Sequence, residues 1–261
     1  MIQFLKFLSA LLKGAYRNSR FLRLSPNLKG KIIFYDRKKA KFFNVNSRGN
    51  IDSVTANQIF LNNEYETHDL KRNNDINNIY SKILSHKKIP LIIDCGGNIG
   101  LSSRFFAIKY PQSRIVCIEP EINNFQQAIK NCKGLDNISV SNCAIGSSPG
   151  YAKIFNPEDD TNAFKTVYCD SNEGIRVKTI NQLINENLNC ELFIVKIDIE
   201  GFEEDLFSKN LEWVDKCPIM FIELHDWMLP KSMVSKNFIK AMSNKDRDFI
   251  NRKETVISIK N

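Results

Sequence analysis

"LIIDCGGNIGLSSRFF", residues 91–106, passes from one structural period to another. An apolar run ends at Asp94, and Gly96, Gly97 and Gly100 follow. An apolar pattern then resumes at helical spacing, with Leu101, Phe105 and Ile108 aligned. This is a strand, a tight loop and a helix whose N-terminus points at whatever the loop holds. A nucleoside triphosphate loop needs Lys and then Ser or Thr after its last glycine, but Leu101 follows Gly100. The dinucleotide fingerprint needs a glycine where Asn98 stands, and Asp94 would repel a pyrophosphate. An acid at a strand tip suits a ligand that brings positive charge. The glycines let backbone approach it, and the helix N-terminus favours a carboxylate. A zwitterionic amino acid joined to a nucleoside meets all three conditions.

The rhythm continues downstream. "RIVCIE" reads as a second strand, residues 121–131 as a helix on Ile122, Phe125 and Ile129, and "ISVSNCAIG" as a third strand. After an interruption over residues 146–190, Thr179 and Gln182 have capping-box spacing at the start of a helix. "LFIVKID" is a fourth strand, "EGFEEDLF" a helix and "IMFIELH" a fifth strand. A helix around 232–242 and a hairpin-like pair, "RDFINR" and "TVISIK", close the chain. Alternation with short connections predicts an α/β fold, a mainly parallel sheet with helices on both faces, finished by a short antiparallel pair.

Glu119 ends the second strand nineteen residues past Gly100, where a carboxylate can accept hydrogen bonds from ribose hydroxyls. Cys143 and Ala144 end the third strand, where an adenine edge would lie. With Asp94, Gly96, Asn98 and Gly100 in the pattern D-x-G-x-N-x-G, the ligand implied is S-adenosylmethionine.

The 261 residues, 43% of them hydrophobic, can bury one good core over residues 89–261, with residues 25–88 as an extension packed on it. The seven cysteines form no CxxC pair and no zinc-spaced cluster, which predicts a reduced, cytoplasmic chain. The net charge of +8 is uneven, because residues 1–41 hold eleven lysines and arginines against Asp36 alone. The rest of the chain is slightly acidic and has no basic-aromatic module, which argues against nucleic acid. Residues 1–24 read as a basic amphipathic helix, with Phe4, Leu5, Leu8, Leu11, Leu12 and Ala15 on one arc and Lys6, Lys13, Arg17 and Arg20 opposite. Its apolar face either packs on the core or docks peripherally on the anionic inner face of a membrane. Lysines interrupt it too early for a transmembrane span, and no cleavage site marks a secretory signal.

"IIDCGGNIGLSSRFFA", "CIEPEINNF", "VKTINQL", "FIVKIDIEGFEEDLF" and "FIELH" together resemble the FkbM-type methyltransferases over roughly residues 56–225. The resemblance implies a Rossmann-like class I methyltransferase sheet of seven strands, order 3-2-1-4-5-7-6, with the last antiparallel. It also implies S-adenosylmethionine-dependent O-methylation of a hydroxyl on a sugar, glycan or other natural product. If the basic helix docks on a membrane, a lipid-linked glycan becomes a natural acceptor. The chain departs from the family in reading Thr179, Ile180, Asn181 where the family commonly has Thr-Leu-Asp. Two other classes remain: a scaffold that keeps the cofactor fold without catalysis, and a nicotinamide-dependent oxidoreductase.

Methylating an alcohol needs the oxygen aligned with the methyl group and its proton removed. His225, just past the fifth strand, is the candidate base, because an unperturbed imidazole titrates near neutrality. Asp198 and Glu200 lie at the tip of the fourth strand, placed to orient His225, bind acceptor hydroxyls or contact the cofactor. Glu223 would share the face of His225 and orient it. Asp198, Glu200 and Asp226 offer oxygen ligands of the kind magnesium prefers, but nothing in their spacing is diagnostic of a metal.

Overall fold

The computed structural model describes residues 19–155, 165–170 and 173–261. The amphipathic helix expected over residues 1–24 lies outside the described residues as far as residue 18, and its last turn is not helical. Phe21–Arg23 is a strand, β1, in an antiparallel sheet with β2 (Lys31–Asp36) and β3 (Lys41–Asn46). The side chain of Phe21 explains the change. It is buried edge-on against Phe60 at 5.2 Å and Phe43 at 5.7 Å, a contact that an extended backbone reaches.

Helix α1 (Asn50–Leu61) carries Phe60 into the same cluster, and Phe60 meets Phe105 of the central helix at 6.5 Å. This aromatic ladder fastens residues 21–61 to the sheet, and Phe60→Ala would cost about 3–5 kcal/mol. Helix α2 (Asn73–Ser85) buries Ile76 and Ile83.

Alternation then begins with β4 (Ile89–Cys95), α3 (Leu101–Lys109), β5 (Arg114–Ile118), α4 (Ile122–Cys132) and β6 (Ile138–Ser141). Strands β7 (Ala144–Ile145), β8 (Gly150–Phe155), β9 (Lys165–Cys169) and β10 (Ile175–Lys178) form a separate four-stranded sheet, order β7-β10-β8-β9. The chain returns through α5 (Ile180–Glu186), β11 (Cys190–Ile197), α6 (Glu203–Leu206), α7 (Glu212–Lys216), β12 (Ile219–Glu223), α8 (Lys236–Met242), β13 (Arg247–Arg252) and β14 (Thr255–Lys260). Thr179 and Gln182 form the expected capping box.

The main sheet runs β6-β5-β4-β11-β12-β14-β13, with β14 antiparallel to both its neighbours. Counted by its own seven strands, this is 3-2-1-4-5-7-6 with the seventh reversed, the order that the family resemblance implies. Its central strands are buried on both faces. Phe221 packs with α3 and the aromatic ladder, while Met220 and Ile222 pack with α5 and α8 on the other side. Among the described residues no helix is long and apolar enough to cross a membrane.

Two expectations are corrected. The third strand does not run on to Gly146: β6 stops at Ser141, and Ala144–Ile145 leave the main sheet to pair with Val177 and Lys178. The Asn142 amide makes the break by donating to the carbonyls of Glu119 and Pro120, both at 2.9 Å. Helix α4 also turns the other way. Ile122 and Ile129 are 50% and 48% exposed, while Gln127, Ala128, Asn131 and Cys132 are buried. Asn131 explains the rotation, since its amide donates to Ile99 O at 2.9 Å and Asn46 O at 3.1 Å and accepts from Asn46 N at 2.7 Å. Three hydrogen bonds to buried backbone outweigh two isoleucines left on the surface.

Candidate functional site

The loop between β4 and α3 is held by backbone bonds. The Gly96 and Gly97 amides both donate to Ile118 O, at 3.0 and 2.8 Å, and tie the loop to the end of β5. Gly96 has φ +77°, and a Cβ there would lie 1.7 Å from Asp198 O, so only glycine fits. Gly100, at φ +80°, packs against Ala128 and Cys132 of α4 and shapes the helix start. The Asn98 amide donates to Glu119 Oε2 at 2.7 Å, and Glu121 N to Glu119 Oε1 at 2.9 Å. Burial outweighs these bonds and pushes the Glu119 carboxyl up to about 7.

Asp94 faces inward. It is wholly buried beneath the loop, where Oδ2 accepts from the hydroxyls of Ser102 and Ser103, both at 2.6 Å. Its contact with a ligand's positive charge is therefore corrected: the cation it meets is Lys196, whose Nζ lies 3.4 Å from Oδ1. Lys196 stands one residue from the end of β11 and donates to Gly96 O at 2.6 Å, with Asp198 Oδ2 at 3.4 Å. Burial opposes its charge, but Asp198 and Asp94 more than offset that and hold the ammonium well above its ordinary pKa.

Past the tips of β11 and β12 lies a carboxylate cluster around His225. His225 Nδ1 is 2.8 Å from Glu203 Oε1, and Nε2 is 3.5 Å from Asp198 Oδ1 and 3.7 Å from Glu200 Oε2. Burial disfavours the charged ring, yet Asp198 and Glu203 push His225 up to about 11. These carboxylates favour the charged form of the ring, in contrast to the near-neutral base expected from the sequence. Its orienting partner is Glu203 rather than Glu223. Asp198 is disfavoured as an anion by burial, but Lys196 and His225 bring it down to about 2. Burial and the charge of Asp198 raise Glu200 to about 7; burial, Asp198 and Glu64 raise Glu223 to about 8. Glu200 sits at φ 53°, a left-handed conformation that costs about 1–3 kcal/mol in a non-glycine residue and turns up at functional sites.

These groups open on one cavity of about 430 Å³. Gly96, Gly97 and Asn98 form one wall and Lys196, Asp198, Glu200, Glu223 and His225 the floor. The facing wall is α1, through Asn50, Ile51, Val54, Thr55 and Gln58. Of the residues expected from the sequence, Gly96, Asn98, Asp198, Glu200 and His225 line the cavity. Asp94, Gly100, Glu119, Cys143 and Ala144 are not among its lining residues; Ala144 belongs to the separate sheet and Cys143 directly precedes it. The magnesium set with Asp226 is not assembled, since Asp226 turns away toward the amide of Ser235 at 3.5 Å. Sequence reasoning missed Lys196, Glu203, Glu64 and the α1 wall. A lysine inside the apolar run "FIVKI" was the one visible signal.

Comparison with known proteins finds methyltransferases. The chain is 26% identical over 188 residues to "Methyltransferase 1" of Beauveria bassiana, covering 59% of this chain and 74% of that protein. It is 22% identical over 161 residues to "2-O-methyltransferase NoeI" of Sinorhizobium fredii, covering 55% and 66%. The crystal structure of a methyltransferase from Geobacter sulfurreducens superposes with a TM-score of 0.38 at 13% identity, over 82% of this chain and 92% of that one, a likeness too remote to argue from. The family model for the methyltransferase FkbM domain matches residues 94–249, which contain the glycine loop, the acidic floor and four of the seven main strands whole, β5, β6, β11 and β12. The chain belongs to the FkbM methyltransferase family.

Proposed function

We propose that the protein transfers a methyl group from S-adenosylmethionine to a hydroxyl oxygen of a sugar, a glycan or another natural product. One observation carries the reading: the glycine loop and the carboxylates at the tips of β11 and β12 face the same cavity, so donor and acceptor have a common meeting point. When bound, the cofactor supplies a methyl group already activated on a sulfonium. The residues fit it. Loop backbone bare of side chains at Gly96 and Gly97 lies along the cavity, and the Asp198 carboxylate offsets positive charge. Glu119 stands behind the cavity-lining Asn98, whose backbone amide it accepts from, and keeps lone pairs beyond its two backbone amides for ribose hydroxyls.

For an alcohol the chain must hold the oxygen in line and accept its proton. Glu223, on the cavity floor at the end of β12, is placed to take it; His225 already carries a proton between its carboxylates. Oxygen as the acceptor atom is supported by the relative named a 2-O-methyltransferase. A lipid-linked glycan is supported by the exposed turn after β2, where Lys38, Lys39, Lys41 and Phe42 lie together. Co-sedimentation with anionic but not neutral vesicles is the expected result for that form, and equal or absent binding removes it.

Isothermal titration with S-adenosylhomocysteine tests the donor. Saturable micromolar binding is expected, followed by label transfer from the methyl donor in an acceptor screen of sugars and oligosaccharides. No binding by folded protein would leave the chain as a scaffold, and comparable binding of NADH would favour an oxidoreductase.

A further inference from the structure

Three side chains on the cavity floor converge on one point. One oxygen from each of Asp198 and Glu200, and Nε2 of His225, lie within 4.8 Å of one another. The separations from Nε2, 3.5 Å to Asp198 and 3.7 Å to Glu200, are long for charge-assisted hydrogen bonds, which run about 2.7–2.9 Å. They approach the spacing of neighbouring donors around a cation, about 3.0–3.4 Å for bonds of about 2.1 Å. A small closure of two partly exposed carboxylates would bring them to that spacing.

A second observation concerns the ring itself. His225 is 3% exposed, and its Nδ1 is committed to the wholly buried carboxylate of Glu203 at 2.8 Å. That bond fixes the orientation of the imidazole and leaves Nε2 as the atom presented to the two acids. A carboxylate behind one nitrogen and an ion in front of the other is how ligating histidines are held. Lys196 neutralises the far oxygen of Asp198, Oδ2, and leaves Oδ1 to face Nε2.

We propose that Asp198 Oδ1, Glu200 Oε2 and His225 Nε2 bind one divalent first-row transition-metal ion, which displaces the Nε2 proton to solvent while Nδ1 keeps its own toward Glu203. A nitrogen among the donors favours such an ion over magnesium, which keeps to oxygen. With three protein ligands the ion retains positions that open on the cavity, where an acceptor hydroxyl would be oriented and made more acidic. This role deepens the methyl-transfer reading and rests on it; the metal site itself does not.

The test is a titration of the purified full chain with Mn²⁺, following free Mn²⁺ by electron paramagnetic resonance, with S-adenosylhomocysteine binding measured on the same samples. One Mn²⁺ per chain at micromolar affinity is expected, little displaced by equimolar Mg²⁺. Glu200→Gln should weaken it at least about tenfold and His225→Gln further, while Glu200→Gln keeps its affinity for S-adenosylhomocysteine. No saturable Mn²⁺ binding by protein that binds S-adenosylhomocysteine would overturn the metal site and leave the donor reading intact. Mn²⁺ binding undiminished in Glu200→Gln would also overturn the assignment, because the ion would then sit elsewhere. Mn²⁺ binding lost in Glu200→Gln, in a chain that ignores S-adenosylhomocysteine, would uphold the metal site and sink the donor reading instead.

Discussion

Lys196 Nζ donates to the carbonyl oxygen of Gly96 at 2.6 Å, across the seam between β11 and β4. The strand that carries the acidic floor therefore grips the loop that carries the cradle. Lys196→Met removes that grip and leaves Asp94 buried without its cation. A loss of about 3–5 kcal/mol in urea denaturation is expected. The double variant Lys196→Met with Asp94→Asn should recover part of it, because the stranded charge is gone.

Gly96→Ala has nowhere to put its methyl group, 1.7 Å from Asp198 O in a left-handed backbone. At least about 2 kcal/mol of stability should be lost, since the left-handed conformation alone costs about 1–2 kcal/mol before any clash. Affinity for S-adenosylhomocysteine should fall with it. Gly150→Ala, where a Cβ meets only the Tyr168 ring at an ordinary 3.6 Å, is the control and should stay within about 0.5 kcal/mol of the parent.

Glu119 sets a pH dependence. Its carboxyl, raised by burial from 4.5 to about 7, accepts strong charge-assisted hydrogen bonds from a ribose only when ionised. Affinity for S-adenosylhomocysteine should weaken about tenfold per pH unit below 7, and Glu119→Gln should flatten the profile. The folded chain holds this proton more tightly than the unfolded chain. The contribution of Glu119 to stability is therefore fully present below about 4.5 and is lost as pH rises through about 7, which a series of urea midpoints in the absence of ligand would record.

Helix α1 gives a prediction about the acceptor. Ile51 and Val54 are exposed apolar side chains on the cavity wall. Ile51→Ala and Val54→Ala should raise the acceptor KM by a factor of about 3–10 each while leaving kcat and S-adenosylhomocysteine affinity unchanged, as expected for lost apolar contact made equally in ground and transition states. A fall in kcat instead would mean that the wall aligns the reacting oxygen.

The strand order and the loop were legible because each depends on local pattern: apolar runs ending at Asp94, Asp198 and Glu223, with glycines where backbones touch. The outward face of Ile122 and Ile129 was not, because periodicity registers apolar area and misses the three hydrogen bonds that Asn131 makes to distant backbone. Asp94 was read as a ligand contact for the same reason. Its two serine partners, eight and nine residues on, come under it only when α3 folds back over β4. Glu203, Glu204 and Asp205 are adjacent acids in the first turn of α6, and only burial beside His225 distinguishes Glu203 from the other two.

Helix α1 lies at residues 50–61, outside the family match at 94–249, while the loop and acidic floor lie inside it. The two halves of the cavity are thus written in separate stretches of chain. Mutation in one can alter which molecule is modified while the other goes on holding the same donor. Grafting residues 50–61 between members of this family is accordingly a route to exchanging their acceptors, and divergence among relatives should concentrate there.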